Sequence, residues 1–239
     1  MKVCVITDNL YIFEEFSRLL EGRNVRFDFF YSPRNKAFRE RFGEQGNIRP
    51  LELKAQSAEF FDGYDLFFSL HCKQLFPEYM VEHCRCINVH PGYNPYNRGW
   101  FPQVFGILNK KPIGVTIHRI DRELDHGPIL FQRKLELRSE DTSKDIYNRI
   151  LAAEIDLLRE HLDEILAGTC PETPMAEEGN INYKADFDAL CRLDLNETAT
   201  YGQVIDRLRA LTFAPYDNAY FVDQDGKKVY VGITLKKED

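Results

Sequence analysis

Two stretches of the 239-residue chain combine side chains that can move a proton and stabilise a negatively charged oxygen. The first, Cys86 to Trp100, reads CINVHPGYNPYNRGW, and the second, Ile120 to Ile129, reads IDRELDHGPI. An apolar run enters Asn88-Val89-His90 and then breaks into Pro-Gly-Tyr-Asn-Pro. That is the pattern of a strand ending where a polar loop begins, and reactive side chains concentrate at such ends. Alternate residues of a strand share a face, so Asn88 and His90 point the same way. An amide there can donate to a carbonyl oxygen and an imidazole can take up a proton. A carboxylate held nearby would complete the set, and Asp125 is the candidate. Each residue also has a plainer reading: a strand histidine is commonly a hydrogen-bonded core or surface residue, and an Asp before His126-Gly127-Pro128 sits in a turn where carboxylates bond their own backbone.

The elements that must carry these residues follow from periodicity. Lys2 to Thr7 reads as a buried strand, ending at Asp8-Asn9, and Leu10 to Leu20 has apolar residues at helical spacing. Val25 to Tyr31 and Tyr64 to Leu70 read as further strands, with a helix near Lys36 to Phe42 and a short strand near Leu51 to Leu53 between them. A short helix over Pro77 to Glu82 precedes the strand Arg85 to His90. Strands alternating with helices indicate an open, mostly parallel α/β sheet whose crevice lies beyond the carboxyl ends of its strands. Asn9, Ser32, Lys73 and His90 all fall at such ends. The loop after the first strand, Asp8-Asn9-Leu10-Tyr11, has no GxGxxG signature, which argues against a nicotinamide cofactor.

After the polar loop come a helix over Phe101 to Leu108, with Pro102 in its first turn, and strands over Gly114 to Ile120 and Pro128 to Leu137. Asp141-Thr142-Ser143 caps a long amphipathic helix whose apolar stripe, from Ile146 to Leu162, is core packing and which ends near Gly168. Gly168 to Asn180 reads as a linker, so residues 1–180 form the main domain and 181–239 a small C-terminal one. The latter holds a helix over Thr200 to Leu211 and a β-hairpin turning at Asp225-Gly226, between Asn218 to Val222 and Lys227 to Leu235. A hairpin is marginal alone and needs a surface to pack on.

A net charge of −7 without a lysine or arginine block argues against a large nucleic acid surface, although one or two local cations can hold a phosphorylated metabolite. The six cysteines are scattered, so they read as reduced. His83, Cys84 and Cys86 lack a second pair at zinc-site spacing, and no metal is expected. No apolar run approaches the roughly 20 residues of a membrane span, and the N-terminus lacks a secretory leader, which makes a cytoplasmic, membrane-free protein the expectation.

The motifs together resemble the formyltetrahydrofolate-dependent formyltransferases, most closely the sugar N-formyltransferases acting on nucleotide-linked amino-dideoxyhexoses, typically dTDP-4-amino-4,6-dideoxyglucose. The resemblance rests on Asn88-Val89-His90-Pro91 with Asn94-Pro95-Tyr96-Asn97-Arg98-Gly99-Trp100, on Gly114-Val115-Thr116-Ile117-His118, and on Leu124-Asp125-His126-Gly127-Pro128-Ile129. It extends to Ser69 to Pro77 and to Leu208 to Phe221. It implies a Rossmann-like α/β fold, 10-formyltetrahydrofolate as formyl-donor cosubstrate, and Asn88, His90 and Asp125 as the catalytic triad. It places folate between the segments Phe68 to Pro77 and Ile120 to Asp125, with Phe68, Leu70, Leu75, Pro77, Ile120 and Asp121 as candidates. Asn9, Tyr11, Lys73, Asn94, Asn97, Arg98 and Trp100 are the candidates for the sugar nucleotide, Trp100 either stacking on a ring or filling the core. Family members acting on other amines carry a His-x-Ser-Leu-Leu-Pro loop; here His90 leads into Pro-Gly-Tyr-Asn-Pro, so contacts of that serine loop do not transfer. The resemblance also implies a homodimer through the C-terminal hairpin and a role in surface polysaccharide (O-antigen, lipopolysaccharide) synthesis. The alternatives are a formyltransferase for another amine, such as a 3-amino sugar or glycinamide ribonucleotide, and a non-catalytic nucleotide-sugar binder.

Overall fold

Lys2–Thr7 (β1) carries the apolar run Val3 to Ile6, fully buried, and Asn9 stops the strand and caps the helix Leu10–Leu19 (α1), its side-chain oxygen accepting the Ile12 N–H at 3.1 Å. The same logic repeats along the chain. Arg26–Tyr31 (β2) leads to Lys36–Phe42 (α2), capped by Asn35, then to Ile48–Pro50 (β3) and Ala58–Asp62 (α3), capped by Ser57. Leu66–Leu70 (β4), Glu78–His83 (α4) and Cys86–His90 (β5) follow. The remaining elements are Arg98–Gly99 (β6), Pro102–Asn109 (α5), Ile113–Arg119 (β7), Ile129–Leu135 (β8), Ser143–Ala167 (α6), Ile181–Asn182 (β9), Lys184–Cys191 (α7), Tyr201–Leu211 (α8), Thr212–Phe213 (β10), Tyr216–Asp217 (β11), Tyr220–Val222 (β12) and Lys228–Tyr230 (β13). The computed structural model describes residues 1–43 and 46–238.

Among the described residues the central sheet has seven strands in the order β3-β2-β1-β4-β5-β7-β8. The pairings from β3 through β5 are parallel and β5–β7 is antiparallel, so the expected mostly parallel α/β sheet is present. The chain divides into two compact units: Met1–His90, Thr116–Arg133 and Ala153–Ala176 form one, and the rest of the described chain the other. In the first unit, Cys4, Ile6, Phe30, Phe61, Phe67, Met80 and Cys86 form a core on one face, and Phe16 and Phe68 meet edge to face. Burial of each such aliphatic or aromatic side chain stabilises the fold by roughly 1.5–3 kcal/mol. In the second unit, Thr200 and Gln203 form a reciprocal cap on α8, and Asp223 accepts the N–H groups of Asp225 and Lys227 at 3.0 and 2.9 Å, closing the turn of the β12–β13 hairpin.

The expected strand at Leu51 to Leu53 lies instead at Ile48–Pro50. Leu51 N–H still bonds Tyr31 O at 2.9 Å, but the Leu53 N–H is taken by the Gln74 side chain at 2.9 Å, and the chain turns into a short 3₁₀ segment, Leu53–Ala55. The hairpin strands are shorter than the sequence pattern predicts, and α3 and α7 lie outside the elements it predicts. Both are short helices, α7 closed at its start by the Asp186 carboxylate on the Tyr183 N–H at 2.7 Å.

Candidate active site

β5 delivers Asn88 and His90 to the same face, and the turn after β7 brings a carboxylate to meet both. Asn88 Nδ2 donates to Asp125 Oδ1 at 3.0 Å, and His90 Nδ1 lies 3.4 Å from Asp125 Oδ2. The turn that presents Asp125 is tied down at several points. Asp121 accepts the Glu123 N–H at 2.9 Å and meets His126 Nδ1 at 2.7 Å, and Arg119 N–H bonds Pro128 O at 2.9 Å. Asp125 itself takes a left-handed backbone, φ 49°, a conformation that Asp and Asn adopt more readily than most residues. A side chain at Gly127 would begin 2.0 Å from Arg119 O, so only glycine lets the turn lie this close to β7.

A fourth side chain belongs to this group. His118 lies opposite Asn88 across the β5–β7 ladder, with its Nε2 3.2 Å from Asn88 Nδ2 and 3.7 Å from Asp125 Oδ1. Its Nδ1 donates to Arg119 O at 2.7 Å, so in the neutral ring Nε2 is the acceptor and receives the second amide hydrogen of Asn88. The amide is thus oriented from two sides, by a carboxylate and by an imidazole. Thr116, opposite His90 on the same ladder, accepts a hydrogen bond from Gln132 at 2.9 Å. Nδ1 of His90 is directed at Asp125, Nε2 is buried, and the ring stands behind the cavity wall rather than among its lining residues.

Asn88, His118 and Asp125 line a cavity of 360 Å³ together with Ser69, Cys72, Gln74, Leu75, Phe76, Val81 and the turn from Ile120 to Leu124. Ser69 pairs with Asn88 in the β4–β5 register. The wall combines apolar side chains with a few convergent polar ones, and the volume suits a flat heteroaromatic group. Burial pushes the Cys72 thiol up to about 12, the nearby backbone N–H of Gln74 opposing it, so this cysteine is no nucleophile at neutral pH. Among the described residues no group of three or more His, Cys, Asp or Glu side chains is placed to hold a metal ion, and no helix is long and apolar enough to cross a membrane.

The structure distributes the sequence candidates unevenly. Of the residues expected at folate, Leu75, Ile120 and Asp121 line the cavity; Phe68 and Leu70 are fully buried in β4, their side chains on the face opposite Ser69. Pro77 precedes α4 and is not among the lining residues. Of the sugar-nucleotide candidates, Asn9 caps α1, Tyr11 is exposed, and the Lys73 N–H donates to Asp8 at 2.8 Å. In the second unit Asn94 and Asn97 are buried. Asn97 Oδ1 accepts from Asn109, Asn180 and Asn182, while Arg98 is buried and pairs with Glu178 at 2.6 Å. Trp100 keeps 43% of its surface exposed.

A parallel-to-mixed sheet with an Asn-His-Asp constellation beside a cavity for a flat ligand defines a class, and comparison with known proteins supplies it. The formyl transferase family profile matches residues 45–162, and that of the N-formyltransferase dimerization C-terminal domain matches 186–237. The dTDP-4-amino-4,6-dideoxyglucose formyltransferase of Mycobacterium tuberculosis is 43% identical over 238 residues, covering 100% of this chain and 98% of the relative. The chain belongs to the formyltransferase family. Among solved structures, a 4-N formyltransferase from Francisella tularensis superposes with TM-score 0.95 at 41% identity, covering 99% of this chain and 98% of the other. A sugar N-formyltransferase from a Shewanella species gives 0.94 at 38% identity, covering 100% and 99%.

Proposed function

We propose that this enzyme transfers the formyl group of 10-formyltetrahydrofolate to the amine of a nucleotide-linked amino-dideoxy sugar, with dTDP-4-amino-4,6-dideoxyglucose as the substrate. The carrying observation is the meeting of Asn88, His90 and Asp125 beside a cavity of the right size and lining for a pterin. The relative at 43% identity over the whole chain supports the choice of sugar. Bound there, 10-formyltetrahydrofolate supplies an activated one-carbon carbonyl; the other steps fall to the protein. Asn88 keeps one amide hydrogen on Asp125 and transfers the other from His118 Nε2 to the oxygen that gains charge as the amine attacks. His90 takes the amine proton at Nε2 and returns it to the leaving nitrogen as the bond between the formyl carbon and N10 of the folate breaks, while Asp125 holds the ring through Nδ1 and stabilises the imidazolium that forms in between. Leu75, Ile120 and Asp121 border the donor, with Phe68, Leu70 and Pro77 acting through their backbone. Asn9, Tyr11, Lys73, Asn94, Asn97, Arg98 and Trp100 stay the candidates for recognising the sugar nucleotide.

The remaining parts of the reading are proposals of the same kind. Residues 1–180 serve catalysis and 181–239 serve assembly into a homodimer, supported by the dimerization profile over 186–237 and by the exposed Val229 and Tyr230 of the hairpin. The enzyme works in the cytoplasm, and its product goes to surface polysaccharide. Incubating the protein with 10-formyltetrahydrofolate and dTDP-4-amino-4,6-dideoxyglucose and following the sugar nucleotide by mass spectrometry tests the central claim. A gain of one formyl group is expected; formate release alone, independent of the sugar, would defeat it.

A further inference from the structure

A second imidazole and carboxylate meet in the same unit, outside the chemistry described above. Glu154, on α6, is fully buried, and both of its oxygens lie 2.9 Å from Nε2 of His71, the residue that follows β4. Burial pushes the Glu154 carboxyl above its ordinary range, and the facing imidazole opposes that shift. On its other side His71 Nδ1 lies 3.4 Å from Asn9 Nδ2. Asn9 has no choice of orientation, because its Oδ1 accepts the Ile12 N–H at the start of α1. Its NH₂ group therefore faces the ring, so Nδ1 accepts, while Nε2 carries the proton and donates to Glu154.

His71 takes a left-handed backbone, φ 58°, a region costly for a residue with a Cβ and maintained only where the surroundings impose it. From this point the chain turns out of the sheet into the cavity wall, supplying Cys72, Gln74, Leu75 and Phe76. Further bonds fix its course: Lys73 N–H to Asp8 at 2.8 Å and Gln74 Nε2 to Leu51 O at 2.8 Å. A buried carboxyl held by one imidazole adds little net stability over an apolar replacement of the same shape. What it adds here is direction, at the residue where the sheet hands the chain to the ligand wall.

We infer that His71 and Glu154 form a positioning pair for the formyl donor: the helix carboxylate fixes the imidazole, and the imidazole fixes the path along which residues 72–76 wall the cavity. The inference rests on the donor reading above and deepens it. Neither residue touches the reacting atoms, so the effect belongs in donor affinity rather than in turnover.

The test pairs calorimetric titration with 5-formyltetrahydrofolate, a stable donor analogue, and formyl-transfer kinetics. The double variant H71G/E154Q keeps the left-handed backbone without strain and removes the buried charge. It should weaken folate binding and raise the donor KM about tenfold, with kcat at saturation and the amino-sugar KM within about threefold of wild type. E154Q alone keeps an acceptor for Nε2–H and should restore most of that affinity. Wild-type folate affinity in the double variant, whatever its melting temperature, overturns the inference, as does a fall in kcat with the donor KM unchanged. If the double variant does not fold, His71→Asn carries the test, since Asn tolerates the backbone but is too short to span from Asn9 to Glu154 as the imidazole does. A weakened folate Kd supports the pair and an unchanged one overturns it. A wild-type protein that binds no folate defeats the donor reading itself and the inference with it, an outcome visible before any variant is made.

Discussion

Strands β4 and β5 lie side by side, and each delivers a histidine to a carboxylate, yet the two pairs are built differently. At the end of β5, His90 meets one oxygen of Asp125 at 3.4 Å, while the other oxygen holds Asn88 at 3.0 Å. The carboxylate sits on a turn at a cavity lip, shared between two donors. After β4, His71 has both oxygens of Glu154 at 2.9 Å, the carboxylate sits on a helix, and it is fully buried. A carboxylate divided between two partners beside open space can stabilise a ring that gains and loses a proton. One given wholly to a single imidazole in the interior can only hold it still. On the reading proposed above, the same two functional groups serve chemistry at one strand end and geometry at the other according to what surrounds them.

The comparison breaks first at the β5 pair. His90→Ala removes the proposed base and should lower kcat by about 10²–10⁴, read in steady-state assays with both substrates saturating. Asp125→Asn, which suits the left-handed backbone and removes only the charge, should approach that loss with donor KM little changed; full turnover in either variant would erase the distinction between the pairs. Asn88→Ala should follow, at about 10²–10³ in kcat, as the loss of one oxyanion donor. His118→Gln should cost less, about tenfold, because the Asp125 bond still orients the amide; a loss as large as that of Asn88→Ala would make His118 a full member of the site rather than its support.

The smallest effect is on stability, and its sign separates the settings. Burial raises the Glu154 carboxyl above its ordinary range, with His71 opposing, so the folded protein holds that proton more tightly than the unfolded chain. Its contribution is fully present below the unfolded range and is lost as pH rises through the folded value. Asp206 runs the other way: burial alone would raise it, but hydrogen bonds from Lys110 and Arg209 prevail and hold it below 3.8. Its contribution is present above that range and lost as pH falls. Urea unfolding from pH 4 to 7 should show the penalty relieved by E154Q growing with pH, and the deficit of Asp206→Asn shrinking toward acid. Parallel pH curves for the two variants would contradict this assignment.

Asn88, His90 and Asp125 were legible because a strand's alternation and an Asp-His-Gly-Pro turn are local signals. His118 lay within a quoted motif but its role did not, since facing Asn88 requires knowing that β7 runs antiparallel to β5, a pairing set by the whole sheet. Glu154 left a fainter trace. It stands four residues from Ile150 and from Leu158, an acid inside the apolar stripe of α6, and such a residue needs a buried partner. The positions read least well were those where a side chain captures backbone, as Gln74 does at Leu53, or where a polar loop bonds inward, as Asn97 does with Asn109, Asn180 and Asn182. Composition marks such loops as polar without saying whether their groups face a ligand or one another.

The absence of a side chain at Gly127 has a wider reach than its own turn. Because the backbone there presses against Arg119 O, the distance from the sheet to Asp125 is gauged by β7 and not by the loop. One bare α-carbon works as a datum surface that sets how far Asp125 stands from the sheet.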